Sequence, residues 1–186
     1  MIALQALERV LSDNPKMSIE VRIIGDARQW ADDLKVKAEI LDFINRTSLK
    51  YVTKLYGYLP YQRVLSMSYD CHLLIQTSVH AENGDCEGGF PVIITDMMAT
   101  GMPVIGSDHC DIPEIIKNGQ NGFVAREADI SATAHCILEL LESYNDYASS
   151  FREFNREFLR DNFDARNCAK EREEFYERAA TKYSNS

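Results

Sequence analysis

Short runs rich in β-branched residues alternate along the chain with segments long and periodic enough to be helices. Residues 19–24, 51–57, 72–77, 103–108 and 122–125 have strand character. Between and around them, residues 2–11, 29–45, a stretch opening at Pro60, residues 130–144 and much of 151–180 carry apolar residues three and four apart. Over 29–45 that pattern makes an amphipathic helix with Trp30, Leu34, Ala38, Leu41 and Phe43 on or near one side. A strand followed by a helix and another strand needs a crossover, so the alternation predicts a mostly parallel sheet with helices on both faces. The expected architecture is a single doubly wound α/β domain over residues 1–186. Ligands of such sheets collect beyond the carboxyl ends of the strands, here the loops opening at Gly25, Gly57, Ser78 and Ser107.

With 20 Lys and Arg against 29 Asp and Glu, the chain carries a formal charge of −9. That balance repels phosphate backbones and anionic lipid surfaces at long range, which argues against nucleic acid or a membrane surface as partner. The five cysteines, Cys71, Cys86, Cys110, Cys136 and Cys168, form no C-x-x-C pair and are expected to be small buried thiols in a reducing compartment. No apolar run approaches a membrane span, and residues 1–15 lack the basic and apolar regions of a signal peptide. A cytoplasmic protein is expected.

The segment from Gly84 to Gly101, GDCEGGFPVIITDMMATG, carries the most chemical information. Val92, Ile93, Ile94 and Thr95 alone favour a strand, but Pro91 before them and Gly101 after them bracket a helix. That helix is expected to be buried on most sides. Its N-terminus, preceded by Gly88 and Gly89, favours an anion through unpaired amides and the helix dipole. Glu87 lies just ahead of this place, and Asp96 about 8 Å further along the helix at 1.5 Å per residue. Two carboxylates around an anion site suit hydrogen bonds to hydroxyls, and a diphosphate with a sugar at each end fits the arrangement. The same residues also fit a tight turn with solvated carboxylates.

From Val21 to about Phe123 the chain resembles the C-terminal, donor-binding half of the retaining group 1 glycosyltransferases of GT-B fold. The resemblance rests on VRIIGD at 21–26, YGYLP at 56–60, the E-G-G-F-P segment, MPVIGSD at 102–108, DIPEII at 111–116 and NGQNG at 118–122. It implies a Rossmann-like nucleotide-sugar-binding domain. Glu87 is similar to the first glutamate of the family's E-x7-E motif, the catalytic-site contact to the donor sugar. Gly88, Gly89, Phe90 and Pro91 match the loop that meets sugar and diphosphate, Asp96 stands at the ribose contact, and Tyr58 and Leu59 lie where the base is received. No metal or other cofactor is implied. The form GDCEGG most resembles members of bacterial polysaccharide or glycolipid assembly.

The chain departs from the pattern in three ways. The double glycine lengthens the E-x7-E gap by one, and Asp96 is a methylene shorter than the usual glutamate. The strand and loop that supply an arginine and a lysine to the diphosphate in the family are expected to be missing, along with the N-terminal acceptor domain. The chain alone is therefore expected to be inactive or nearly so, with residues 145–186 packing on the domain or on an absent partner domain. Any membrane association would come through that absent half. The rival reading is a degenerate, non-catalytic interaction domain. His80 and His109 are expected to be plain loop histidines, since nothing in the sequence pairs them. Ser78 and Ser107 lack a nucleophile elbow, and Arg28 and Lys54 are expected to be solvated.

Overall fold

A computed structural model describes residues 1–81, 84, 86 and 88–184. The elements run α1 (Ile2–Asp13), β1 (Val21–Ile23), α2 (Ala31–Arg46), a 3-10 turn (Ser48–Tyr51), β2 (Thr53–Leu55), α3 (Tyr61–Ser68) and β3 (Leu74–Gln76). They continue with α4 (Val92–Ala99), β4 (Val104–Ser107), α5 (Ile112–Ile115), β5 (Gly122–Ala125), α6 (Ile130–Glu142), α7 (Tyr144–Phe163) and α8 (Ala165–Ser184).

Every strand pairing is parallel, as the crossovers require. The expected continuous sheet is instead in two pieces: β1 pairs with β2, and β3-β4-β5 form a second ladder. Both pieces nevertheless bury their apolar residues in one cluster. Val21 and Ile23 of β1 and Ile75 of β3 pack with Ile105 against Leu4, Leu7 and Val10 of α1 and Ile137 of α6. On the opposite side Ile94 and Met98 of α4 meet Val104, Ile112, Ile116 and Phe158. Helices thus cover both faces, which fixes the loops beyond β3, β4 and β5 at one edge.

The bracketed helix forms as expected. Pro91 caps it with φ −65° and Ile94, Met97 and Met98 are buried. Gly101 follows at φ +87°, the left-handed stop that a Cβ disfavours. The stripe of α7 packs too: Phe151 is fully buried, and Phe154 stacks on Phe158 with centroids 5.7 Å apart.

Two expectations fail. The apolar side expected of α2 is mostly at the surface: Leu34 is exposed, and so is Trp30, which caps the helix rather than packing on it. The Arg28 guanidinium lies 4.2 Å over the Trp30 ring, so a cation rather than the core covers the indole. The five thiols are free but none is buried, and Cys86 and Cys110 are exposed because both sit in edge loops rather than in strands. Among its described side chains helix α8 carries no buried residue, and Phe175 and Tyr176 are both exposed. Among the described residues, no helix is long and apolar enough to cross a membrane.

Candidate functional site

The predicted site residues gather at the head of α4 and at the loop after β2. Glu87 lies outside the described residues. Gly88 takes φ +67°, and a Cβ on Gly89 would meet the Asp111 carboxylate at 3.8 Å. The ring of Phe90 turns inward, packing edge-on against Phe163 of α7 at 5.8 Å. That anchor fixes the backbone of residues 88–90 where the first turn of α4 begins. Unpaired amides of a helix's first turn point out along the axis, so the head of α4 favours an anion. The Asp111 carboxylate beside Gly89 opposes that preference and offers an acceptor for hydroxyls.

Asp96 stands in the second turn of α4. The phenol of Tyr61, the first residue of α3, lies beside its carboxylate. Desolvation, then the neighbouring Asp96, hold the Tyr61 pKa above its ordinary value. The packing of α3 against α4 thus brings the segment Tyr58-Leu59-Pro60 toward Asp96, joining two groups of predicted residues that are distant in sequence. Sequence reasoning missed Tyr61, although its place right after Pro60 marks the helix start. Asp96 also lines a shallow groove of about 360 Å³ with Thr95 and Ala99, whose far wall is Leu159, Arg160 and Phe163 of α7.

Tyr58 is exposed, and its hydroxyl donates to the Asp26 carbonyl at 2.7 Å. The two loops are tied together by the Gly25 amide, which donates to the Gly57 carbonyl at 2.8 Å. Lys37 pairs with Asp26 at 2.5 Å, and this bond, helped by the Ala27 amide, lowers the Asp26 pKa. Leu59 is half-buried. The loops after β1 and β2 therefore hold each other at the carboxyl edge before any ligand arrives.

Beyond β3, β4 and β5 lies a second cluster, contrary to the expectation of plain loop histidines. Glu127 accepts hydrogen bonds from the His80 amide at 2.6 Å and from the Nδ1 atoms of His80 at 3.0 Å and His109 at 3.1 Å. These donors, the His80 amide first and His109 next, lower the Glu127 pKa to about 2. Asp108 Oδ1 accepts from the Glu127 amide and braces the turn. Next to His109, Cys110 adopts φ +45°, and its thiol lies near that of Cys86 and near the Gly88 amide. Three positions 29 and 18 residues apart meet because successive parallel strands end at one edge; that each follows a strand by two to four residues was the available signal.

The remaining candidates are structural. The Ser107 hydroxyl is buried and donates to the Ser78 carbonyl at 2.6 Å, which leaves it no part in a hydrolase elbow. Arg28 pairs with Asp33 at 2.9 Å and Lys54 with Glu20.

Among curated proteins, the chain is 32% identical over 111 residues to the amylovoran biosynthesis glycosyltransferase AmsK of Erwinia amylovora. It is 31% identical over 107 residues to the putative colanic acid biosynthesis glycosyltransferase WcaL of Salmonella typhimurium. These alignments cover 60% and 58% of this chain but only 27% and 26% of the relatives' lengths. Among solved structures, Anabaena HepE in complex with UDP superposes over 95% of this chain and 44% of its own, with TM-score 0.78 and 20% identity. The C-terminal domain of a group 1 glycosyl transferase, LpcC of Francisella tularensis, matches at TM-score 0.70 and 19% identity, over 88% of this chain and 78% of its own. The architecture is that of the Rossmann-like C-terminal domain of a GT-B fold. The sequence pattern of the family described as glycosyl transferases group 1 matches residues 2–158, and the chain belongs to that family.

Proposed function

We propose that the chain is the donor-binding half of a retaining hexosyltransferase that uses a nucleoside-diphosphate sugar. The observation that carries this reading is the packing of α3 against α4, which sets Tyr61 beside Asp96 and so brings the segment assigned to the base next to the carboxylate assigned to the ribose. In this reading Tyr58 and Leu59 receive the base, Asp96 accepts from the ribose hydroxyls, and the amides of residues 88–90 with the first turn of α4 hold the diphosphate. Glu87 and Pro91 complete the loop, with Glu87 accepting from the donor sugar. Solved relatives in complex with UDP and with UDP-glucose support the ligand class.

Fixed amides aimed at the leaving diphosphate stabilise charge as it develops, the kind of contribution that costs about 2.7–4 kcal/mol to lose elsewhere. No metal enters this scheme. Acceptor contacts are assigned to a second domain across the cleft, onto which the exposed helix α8 and its Phe175 and Tyr176 would pack, together with any membrane contact. By itself the chain is expected to bind donor weakly and to turn over slowly or not at all. The relatives' names, which refer to amylovoran and colanic acid biosynthesis, support bacterial polysaccharide assembly as the setting, and the cytoplasm is proposed as its compartment.

Calorimetry with UDP-glucose and GDP-mannose tests the reading. We expect a Kd of about 1 mM, or about −4 kcal/mol, for one of them. Asp96→Ala and Glu87→Ala should each abolish measurable heat. A folded chain that binds no donor at millimolar concentration favours the second reading, a non-catalytic interaction domain. The Asp111 carboxylate beside the anion site is the observation in that reading's favour.

A further inference from the structure

We propose that His80, His109 and Cys110 form a binding site for a thiophilic divalent cation of the Zn2+ class, with Cys86 as the fourth donor. One ring nitrogen of each histidine and the Cys110 sulfur lie within 4.8 Å of one another. The thiol of Cys86 neighbours that of Cys110, outside this group of three. Two imidazoles and two thiols are a common tetrahedral zinc set, and carboxylates are not needed in it.

The protonation pattern strengthens the assignment. A carboxylate only accepts hydrogen bonds, so Glu127 holds a proton on the Nδ1 of each ring that faces it and leaves Nε2 as the ligating atom. Each Nε2 then presents a lone pair. His109 is 0% exposed, and its Nε2 has no hydrogen-bond partner. A buried polar atom without a partner is costly, and a cation would remove that cost. A ring whose second nitrogen donates to a carboxylate is the usual support of a metal-ligating histidine. Here one glutamate supports two such rings.

The remaining geometry is close to sufficient. Zn–N bonds near 2.0 Å and Zn–S bonds near 2.3 Å put tetrahedral ligand atoms about 3.3–3.8 Å apart, so the three atoms within 4.8 Å of one another need to draw in by about 1 Å and the Cys86 sulfur by more. Rotation of the exposed His80 ring and of the two surface thiols supplies that movement. Cys110 also lies near the Gly88 amide, so a bound cation would tie the ends of β3 and β4 to the loop that enters α4. This role is structural and does not depend on the donor reading.

The test uses the full chain, reduced and stripped with a chelator, titrated with Co2+ as a spectroscopic stand-in for Zn2+. A sulfur-to-cobalt charge-transfer band and intense tetrahedral d–d bands should saturate at one equivalent. Cys86→Ser/Cys110→Ser should lose the charge-transfer band, whereas Cys71→Ser/Cys136→Ser/Cys168→Ser should keep it. Competition with a chromophoric chelator should show Zn2+ affinity falling at least about tenfold in His80→Ala, and about 10- to 100-fold in Glu127→Gln through loss of ring support. His80 is exposed, so His80→Ala tests the site without emptying the core. The proposal is overturned if the wild-type chain gives no such band, if the band survives Cys86→Ser/Cys110→Ser, or if Zn2+ affinity is unchanged in His80→Ala.

Discussion

Replacing Asn121 by alanine should destabilise the fold far more than its place in a surface-facing turn suggests. The side chain is 0% exposed; its Oδ1 accepts the Lys117 amide at 2.8 Å, and its Nδ2 donates to the Ile115 carbonyl at 3.1 Å. Alanine leaves one donor and one acceptor without partners. Each such orphan costs about 1–3 kcal/mol, the low end where water can reach it. Lys117 is half-exposed, so its amide is placed at the low end, while Ile115 is buried and its carbonyl at the high end. The sum is about 2–4 kcal/mol, which for a domain of this size lowers Tm by about 5–15 °C. Urea unfolding followed by circular dichroism should show a lower midpoint at unchanged slope. Asn118→Ala is the control: its Oδ1 accepts the Val124 amide at 2.6 Å at the surface, and its loss should cost less than about 1 kcal/mol. A loss below about 1 kcal/mol for Asn121→Ala, or an equal loss for Asn118→Ala, would refute the argument from buried partners.

Three further outcomes follow from contacts described above. Gly122→Ala would place a Cβ 1.9 Å from the Val104 carbonyl oxygen within the β4–β5 ladder. It should cost about 3 kcal/mol or more, and a wild-type urea midpoint would contradict the close approach. Tyr61→Phe removes the hydroxyl beside Asp96 and should weaken nucleoside-diphosphate binding roughly two- to tenfold without changing Tm, read by calorimetry. Asp111→Asn removes the anion beside Gly89. At ~6 Å in a water-like dielectric the nearest phosphate charge then gains about 0.7 kcal/mol, so UDP should bind at least roughly threefold tighter at low salt, with the gain fading at high salt.

Much of the fold could be read from local chemistry. The β-branched run Val92 to Thr95 forms a helix because Pro91 and Gly101 set its two ends, and both are visible in the sequence. Parallel pairing followed from helix-length crossovers, although the division into two ladders did not, since strand pairing depends on distant backbone. The exposure of the Trp30 and Leu34 side was hidden because periodicity shows that a helix is amphipathic, not whether another element covers it. The Glu127 cluster was hidden for a related reason. His80, His109 and Glu127 belong to three successive edge loops, and only the parallel ladder β3-β4-β5 brings them together. Tyr61 and Asp96 likewise meet through the packing of α3 against α4, which no spacing within either helix encodes.

The most direct test of the donor reading is an amide NMR titration of the 15N-labelled chain with UDP. The account predicts shifts confined to the amides of Gly88, Gly89 and Phe90, the first turn of α4, and the Tyr58, Leu59 and Tyr61 segment. Resonances of the α1–α6 face around Arg9 and Ser131, which share a hydrogen bond remote from that edge, should stay fixed. Shifts centred on that remote face, or none at millimolar UDP, would contradict it.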